Sequence, residues 1–140
     1  MTADEIAAFI ARFEACELPR AEWTHHAHLL AAVWYVSRHP YAEALATVRR
    51  RIRAHNEAVG TPNSDTEGYH ETLTRLYMRG VAAELARQGD APVDRLRHAV
   101  VNSPMGDRAW PLRFYSREVL FSVGARRDWV EPDLAPPPTL

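Results

Sequence analysis

The chain has 140 residues, of which 46% are hydrophobic and 25% charged, as expected for one globular domain with a substantial core. These values exclude a disordered or collagenous protein, and the single Cys16 excludes an internal disulfide. The 17 basic and 18 acidic side chains give a net charge of -1, which supplies no global field for nucleic acid or an anionic membrane. No apolar run approaches the ~20 residues of a membrane span. We therefore expect a cytoplasmic protein that binds neither nucleic acid nor membrane.

Lysine is absent, because all 17 basic residues are arginines. This excludes Schiff-base chemistry, a pyridoxal phosphate anchor, a P-loop lysine and a lysine base. Any anionic group of a substrate is left to arginine, to backbone N–H groups or to a metal. The seven histidines are then the natural carriers of chemistry.

Two helices are predicted in the first 40 residues. Thr2 and Glu5 form a capping-box pattern before apolar residues at helical spacing, which predicts a helix to about Ala15. Thr24 is the next N-cap candidate and begins a predicted helix over 25–37, before Pro40.

The third predicted helix has the clearest period of the chain. It runs from Tyr41 to Gly60, and His55 is the only polar residue in its apolar stripe. Four arginines lie between the apolar positions, and we interpret them as a solvated face: Arg49, Arg50, Arg51 and Arg53. Residues 61–68 then form a predicted turn-rich loop.

The remaining chain predicts four further helices and no strand. Their predicted bounds are 69–88, 93–101, 112–120 and 123–130, with a loop over 102–111 and Ser122 as a cap. The prolines of 132–140 predict an extended tail. We therefore expect an all-α, single-domain bundle of five to seven helices over 1–131, followed by this extended C-terminal tail.

The first candidate site is a cluster of histidines at the predicted second helix. His25 and His28 are three residues apart and share a face, whereas His26 is turned about 100° from His25. Both lie in the first turn, where the positive end of the helix dipole favours the neutral imidazole that a metal needs. The pair is therefore a candidate for binding a metal ion.

A second histidine element lies at the start of the predicted fourth helix. His70 shares a face with inward-facing Leu73 and Tyr77, so His25, His28 and His70 are predicted to form a three-histidine metal site with open positions. Glu71 is a candidate base, fourth ligand or hydrogen-bonding partner. His55 is a possible supporting residue, as ligand or as partner of the site.

Known catalytic patterns are missing. The segment from His70 is not an H-E-x-x-H motif because position 74 is Thr, there is no His-Asp dipeptide, and no G-x-S-x-G elbow occurs. Cys16 lies on the apolar face of the first predicted helix, which indicates a core residue.

The C-terminal third holds a second candidate group. Arg113 and Arg126 could orient an anionic substrate, because guanidinium groups bind carboxylates and phosphates through two parallel hydrogen bonds. The alternative is that these arginines pair with nearby acidic residues. Trp23 is predicted to be either a core residue or a wall of the substrate pocket.

Three sequence elements resemble a small bacterial all-helical family of unknown function. They are Trp23-Thr24-His25 with His28, Tyr69-His70-Glu71-Thr72, and the closing stretch 115–126 with Pro132-Asp133-Leu134. The resemblance spans nearly the whole chain and carries no reaction with it. It implies that His25 and His28 belong to a site rather than His26, and it adds Tyr115, Ser116 and Arg126 to the candidates. We therefore count Tyr115 with Glu71 as a candidate catalytic residue.

These residues predict a metal-dependent small-molecule enzyme. Neutral imidazoles favour Zn, Fe, Cu or Ni, and the sequence does not choose among them. Zinc would serve water or carbonyl activation in a hydrolase or lyase, whereas Fe or Cu would serve oxygen chemistry. The alternative is a non-enzymatic helical binding or interaction protein with structural histidines. The broad apolar sides of the helices fit a monomer or a homodimer.

Overall fold

The computed structural model describes residues 1–140 and consists of helices without any strand. The seven α-helices are α1 (Ala3–Glu14), α2 (His25–Arg38), α3 (Tyr41–Ala58), α4 (Glu71–Gln88), α5 (Val93–Val101), α6 (Arg117–Leu120) and α7 (Val123–Arg127). Three 3-10 turns lie between them: Arg20–Glu22, Pro104–Gly106 and Trp110–Arg113. The predicted all-α, single-domain fold is confirmed. None of the helices combines the length and the apolar character needed to cross a membrane.

The predicted helix starts follow from their capping residues. Thr2 and Glu5 form the complete capping box of α1, and the Thr24 hydroxyl accepts a hydrogen bond from the backbone N–H of Ala27 at the start of α2. Ser122 caps α7 in the same way. Because each of these side chains satisfies a backbone donor that the helix itself leaves unpaired, the sequence locates these starts well.

The centre of the bundle is α2, which packs against α1, α3, α4 and α5. It is buried nearly all round, so its middle is a continuous run of small and apolar residues from Leu29 to Val33 rather than an amphipathic stripe. Gly80 of α4 allows a close approach on one flank, because a Cβ atom there would lie 2.6 Å from the sulfur of Met105 and 2.8 Å from the Trp110 ring. Both histidine elements are attached to this rigid centre.

The C-terminal third differs from its prediction. The single helix expected over 112–120 is divided into the 3-10 turn Trp110–Arg113 and the four-residue α6, and the next helix ends at Arg127 rather than at residue 130. The division occurs because Ser116 caps α6, with its hydroxyl accepting from Val119 and its backbone N–H donating to Asp133. Short apolar segments do not reveal where such contacts interrupt a helix.

The chain after α7 contains no helix, and its first residues lie against the bundle. The Thr72 hydroxyl donates to the carbonyl of Asp128, and the backbone N–H of Leu134 donates to the carbonyl of Phe114. The residues just before the predicted extended tail are therefore tied to α4, and the beginning of the tail itself is tied to the turn before α6 through Leu134.

Candidate functional site

The histidines predicted as ligands each bind a backbone carbonyl. The imidazole Nε2 of His25 lies 2.8 Å from the carbonyl oxygen of Met105, and Nδ1 of His28 lies 2.7 Å from that of Thr24. Because a carbonyl can only accept, these nitrogens carry the protons. His26 makes a longer contact of 3.3 Å with the carbonyl of Gly106. His25 and His26 thus attach the start of α2 to the 3-10 turn Pro104–Gly106, whereas His28 bonds within the first turn of its own helix.

His70 uses both ring nitrogens within the protein. Its Nε2 donates to the carbonyl oxygen of Leu120 at 2.7 Å, and its Nδ1 accepts from the backbone N–H of Leu73 at 3.1 Å, which makes His70 the N-cap of α4. The predicted start at residue 69 therefore moves to Glu71. No lone pair of His70 is left for a metal ion.

The structure does not bring His25, His28 and His70 together as a ligand set. No group of three or more His, Cys, Asp or Glu side chains is arranged to hold a metal ion. With both nitrogens of His70 engaged, the residues present do not fit the predicted three-histidine centre. The metal site therefore stays a prediction from the sequence without support from this arrangement.

Burial keeps these histidines neutral. It lowers the pKa of His28 to about 4, and it also lowers the pKa values of His25 and His70, although their carbonyl partners favour the protonated form. His28 lies against the indole ring of Trp23, with 3.8 Å between the ring centres. The imidazoles of these three histidines are thus neutral at pH 7 because the packing of the helices removes them from water.

Trp23 and His55 belong to an aromatic cluster in the core. Trp23 stacks on Phe13 with 4.7 Å between the ring centres, and its ring centre is 4.9 Å from that of His55. His55 is completely buried and Nε2 donates to the carbonyl of Leu18, while its Nδ1 and the Trp23 Nε1 have no partner. The sequence predicted Trp23 as a core residue or a pocket wall and His55 as a supporting residue. In the structure both pack in the cluster that joins α1, α2 and α3.

Tyr115 and Arg113 do not form a site with the predicted histidine ligands. Tyr115 has 0% exposure, and its hydroxyl donates to the carbonyl of Val130 at 2.5 Å, so no substrate reaches it without opening the core. Arg113 is exposed at the end of a 3-10 turn and makes no hydrogen bond. The structure thus gives Tyr115 a structural position, holding the C-terminal segment.

Another candidate site is a polar pocket of about 440 Å³ that is open to solvent, which we call the arginine pocket. Four of its lining side chains are arginines, three are acidic, and Tyr69 is its one hydrophobic member. They come from α3, the loop before α4, the start of α4 and the end of α7: Arg49, Arg53, Asn63, Ser64, Asp65, Tyr69, Glu71, Arg126, Arg127 and Asp128. Its volume suits a small molecule, and its polar lining suits a charged one.

Glu71 forms the buried base of this pocket. Arg49 donates two hydrogen bonds to its carboxylate, at 2.8 and 2.6 Å, and the Tyr69 hydroxyl donates a third at 2.6 Å. Burial alone would raise the pKa of Glu71, but these donors lower it below its usual value. Glu71 is therefore a charged structural partner of Arg49, and its low pKa makes it a weak base.

Two arginines of the pocket have no acidic partner. The side chain of Arg53 is exposed and forms no hydrogen bond or ion pair, and its guanidinium carbon lies 5.4 Å from the centre of the Tyr69 ring. Arg126 donates through one terminal nitrogen to the carbonyls of Gly68 (3.0 Å) and Tyr69 (3.4 Å), and its other donors bind no protein atom. Both guanidinium groups thus lie beside Tyr69 with unused donors.

The loop that forms one side of the pocket is organised by Asn63. Its side-chain oxygen accepts from the backbone N–H of Tyr69 and from Asn56, and its amide nitrogen donates to the carbonyl of Arg53. Gly68 closes the loop with φ +80, where a Cβ atom would collide with the Pro62 carbonyl oxygen. The loop therefore has a defined base on α3.

The tip of the same loop is attached to α7 by one ion pair. Asp65 accepts two hydrogen bonds from Arg127, at 2.7 and 2.6 Å, and both side chains are largely exposed. The pair neutralises Arg127 and leaves Arg53 and Arg126 as the unpaired cations of the pocket.

The sequence identified only part of this site. It singled out Glu71 and Arg126, but it interpreted Arg49 and Arg53 as a solvated face. Their spacing of four residues, which places them on one side of α3, was the available signal. This spacing does not reveal that the loop before α4 and helix α7 pack against that side of α3.

Comparisons of this chain with protein-family models, with curated proteins and with solved structures found no match. The family resemblance described above thus stays a prediction.

Proposed function

We propose that this protein binds a small anionic molecule, carrying a carboxylate or a phosphate, in the arginine pocket. The observation that carries the proposal is the pair of guanidinium groups of Arg53 and Arg126, which lie in one cavity without an acidic partner. Arginine presents its donors in a fixed fork that matches both carboxylate and phosphate.

Preorganisation supports this choice of site. Arg126 is oriented by two carbonyls, and the buried Glu71–Arg49–Tyr69 group fixes the pocket base, so little side-chain order needs to be created on binding. The histidines, in contrast, are engaged with backbone groups. This arrangement favours the alternative drawn from the sequence, a helical binding protein with structural histidines.

The test measures binding of simple anions by isothermal titration calorimetry to the intact chain and to two variants. Phosphate monoesters and monocarboxylates are the probes. Arg53→Gln removes no hydrogen bond or ion pair within the protein and loses only the contact of the guanidinium with the Tyr69 ring. Each charge-assisted hydrogen bond lost to the ligand is worth about 1.5–3 kcal/mol. We therefore expect Arg53→Gln and Arg126→Gln to weaken binding about tenfold or more, and added salt to weaken it further.

The matched control is Arg117→Gln, which removes one exposed arginine of α6 outside the pocket. It changes the net charge by the same amount and should leave the dissociation constant nearly unchanged. Equal weakening by Arg117→Gln and Arg53→Gln would mean non-specific attraction. Absence of binding to the wild-type chain would refute the proposal.

The metal-dependent enzyme remains a separate proposal from the sequence. Elemental analysis of the purified protein tests it directly, with His70→Ala as the variant and His26→Ala as the control. About one transition metal per chain, lost in His70→Ala and kept in His26→Ala, would support it. A metal-free protein whose melting temperature does not respond to Zn, Fe, Cu or Ni would count against it.

A further inference from the structure

The contact between Asp65 and Arg127 resembles a bound ligand. Both guanidinium nitrogens that meet the carboxylate lie in the two-pronged geometry with which arginine binds carboxylates, and both residues line the arginine pocket. Arg127 therefore already binds an anionic group at the wall of the pocket. That group is the carboxylate of Asp65, which belongs to the protein's own loop.

We propose that the ligand carries two separated anionic groups, the first bound by Arg53 and Arg126 and the second by Arg127, in the position that the Asp65 carboxylate now takes. This inference rests on the proposed function, since it assigns a ligand class to the same pocket. Asp65 then competes with the second anionic group of the ligand for Arg127. A ligand with one anionic group does not need to displace Asp65.

The exchange is feasible because the ion pair is weakly held. Its side chains are 67% and 48% exposed, and exposed pairs contribute about 0.2–1 kcal/mol. The base of the loop does not depend on it, because Asn63 and Gly68 are fixed by other contacts. Releasing Asp65 therefore frees only the tip of the loop.

A ligand with two anionic groups competes well with Asp65. Once its first group is held by Arg53 and Arg126, its second group is tethered near Arg127, at an effective concentration comparable to that of the tethered carboxylate. A ligand with a single anionic group lacks this advantage and leaves the Asp65–Arg127 pair intact.

The experiment compares probes that differ only in the second anionic group. Glutarate is paired with valerate, and 3-phosphonopropionate with propylphosphonate, so the two pairs also distinguish a carboxylate from a phosphorus-centred first group. Calorimetric titrations use the full chain, Asp65→Asn and Arg127→Gln. The charge control is Asp90→Asn, an exposed residue in the connection from α4 to α5.

We expect wild-type protein to bind one or both two-headed probes more tightly than their single-headed partners. Asp65→Asn should tighten the two-headed probes about 1.4- to fivefold, the range given by the strength of an exposed ion pair, and leave the single-headed probes unchanged. Arg127→Gln should abolish the advantage of the second group.

Two results separate this inference from the proposed function. If single-headed probes bind and are weakened by Arg53→Gln, while Asp65→Asn and Arg127→Gln change nothing, the two-headed ligand is refuted and the anion site stands. Equal tightening of all probes by Asp65→Asn and Asp90→Asn would also refute it, as a general charge effect. If no probe binds wild-type protein, both proposals fail.

Discussion

Replacing Glu71 by Gln tests whether the base of the arginine pocket is a structural ion pair. The Glu71 side chain is 9% exposed, and Arg49 donates to both of its oxygens, at 2.8 and 2.6 Å. Gln keeps the shape but turns one acceptor into a donor that faces the Arg49 guanidinium. Breaking a fully buried pair costs about 3–5 kcal/mol. Because Arg49 is 37% exposed and regains water, we expect a smaller loss of about 2–3 kcal/mol in the free energy of unfolding.

For a chain of this size that loss lowers the melting temperature by roughly 6–12 °C. Thermal and urea denaturation at pH 7 measure it, with the exposed Glu17→Gln as the control. The stabilisation by Glu71 has a defined pH dependence. Because its folded pKa lies below the ordinary value of 4.5, the stabilisation is present above that pH and is lost as the pH falls through the folded pKa. A melting temperature of Glu71→Gln within about 2 °C of that of Glu17→Gln would refute this reasoning.

Three further predictions concern the bundle itself. The His28 imidazole should titrate in the folded protein with a midpoint near pH 4, since burial lowers its pKa to about 4. A midpoint near the ordinary value of 6.5 in an NMR titration would contradict the packing against Trp23. Because unfolded His28 binds its proton at higher pH than folded His28, its contribution to stability should fall as the pH drops from about 6.5 towards 4. Gly80→Ala should cost about 1–3 kcal/mol in chemical denaturation, because its Cβ would meet Met105 and Trp110, whereas Gly124→Ala, with open space, should be neutral or stabilising; equal effects would disprove the close approach. Tyr115→Phe should lower stability by about 0.5–1.5 kcal/mol through the lost bond to Val130 and leave anion affinity unchanged; weakened binding without destabilisation would return Tyr115 to the site.

The helices were predictable where the signal is local. The starts of α1, α2 and α7 depend on Thr2, Thr24 and Ser122, whose side chains bond to backbone groups three residues away. The C-terminal third was predicted less well, because the break before α6 involves Asp133, which lies 17 residues along the chain from its partner Ser116.

The candidate site shows the same division. Helical phase indicated that His70 points inward, and its side chain is buried; the grouping of His25 with His28 as a ligand pair stays a prediction. Whether a buried imidazole keeps a lone pair for a metal depends on its partners, and those of His70 include the carbonyl of Leu120, 50 residues away. Phase alone could not distinguish a ligand from a helix cap.

What the sequence by itself determined is the helical class, most helix starts and the use of arginine for every basic position, because composition, capping and apolar period can be read without the tertiary structure. Which arginines are neutralised was decided only by the tertiary structure. Arg49 meets Glu71 and Arg127 meets Asp65 across 22 and 62 residues, whereas Arg53 and Arg126 meet no carboxylate. Electrostatic pairing depends on distance in space, and the packing of α3, α4, α7 and one loop sets those distances.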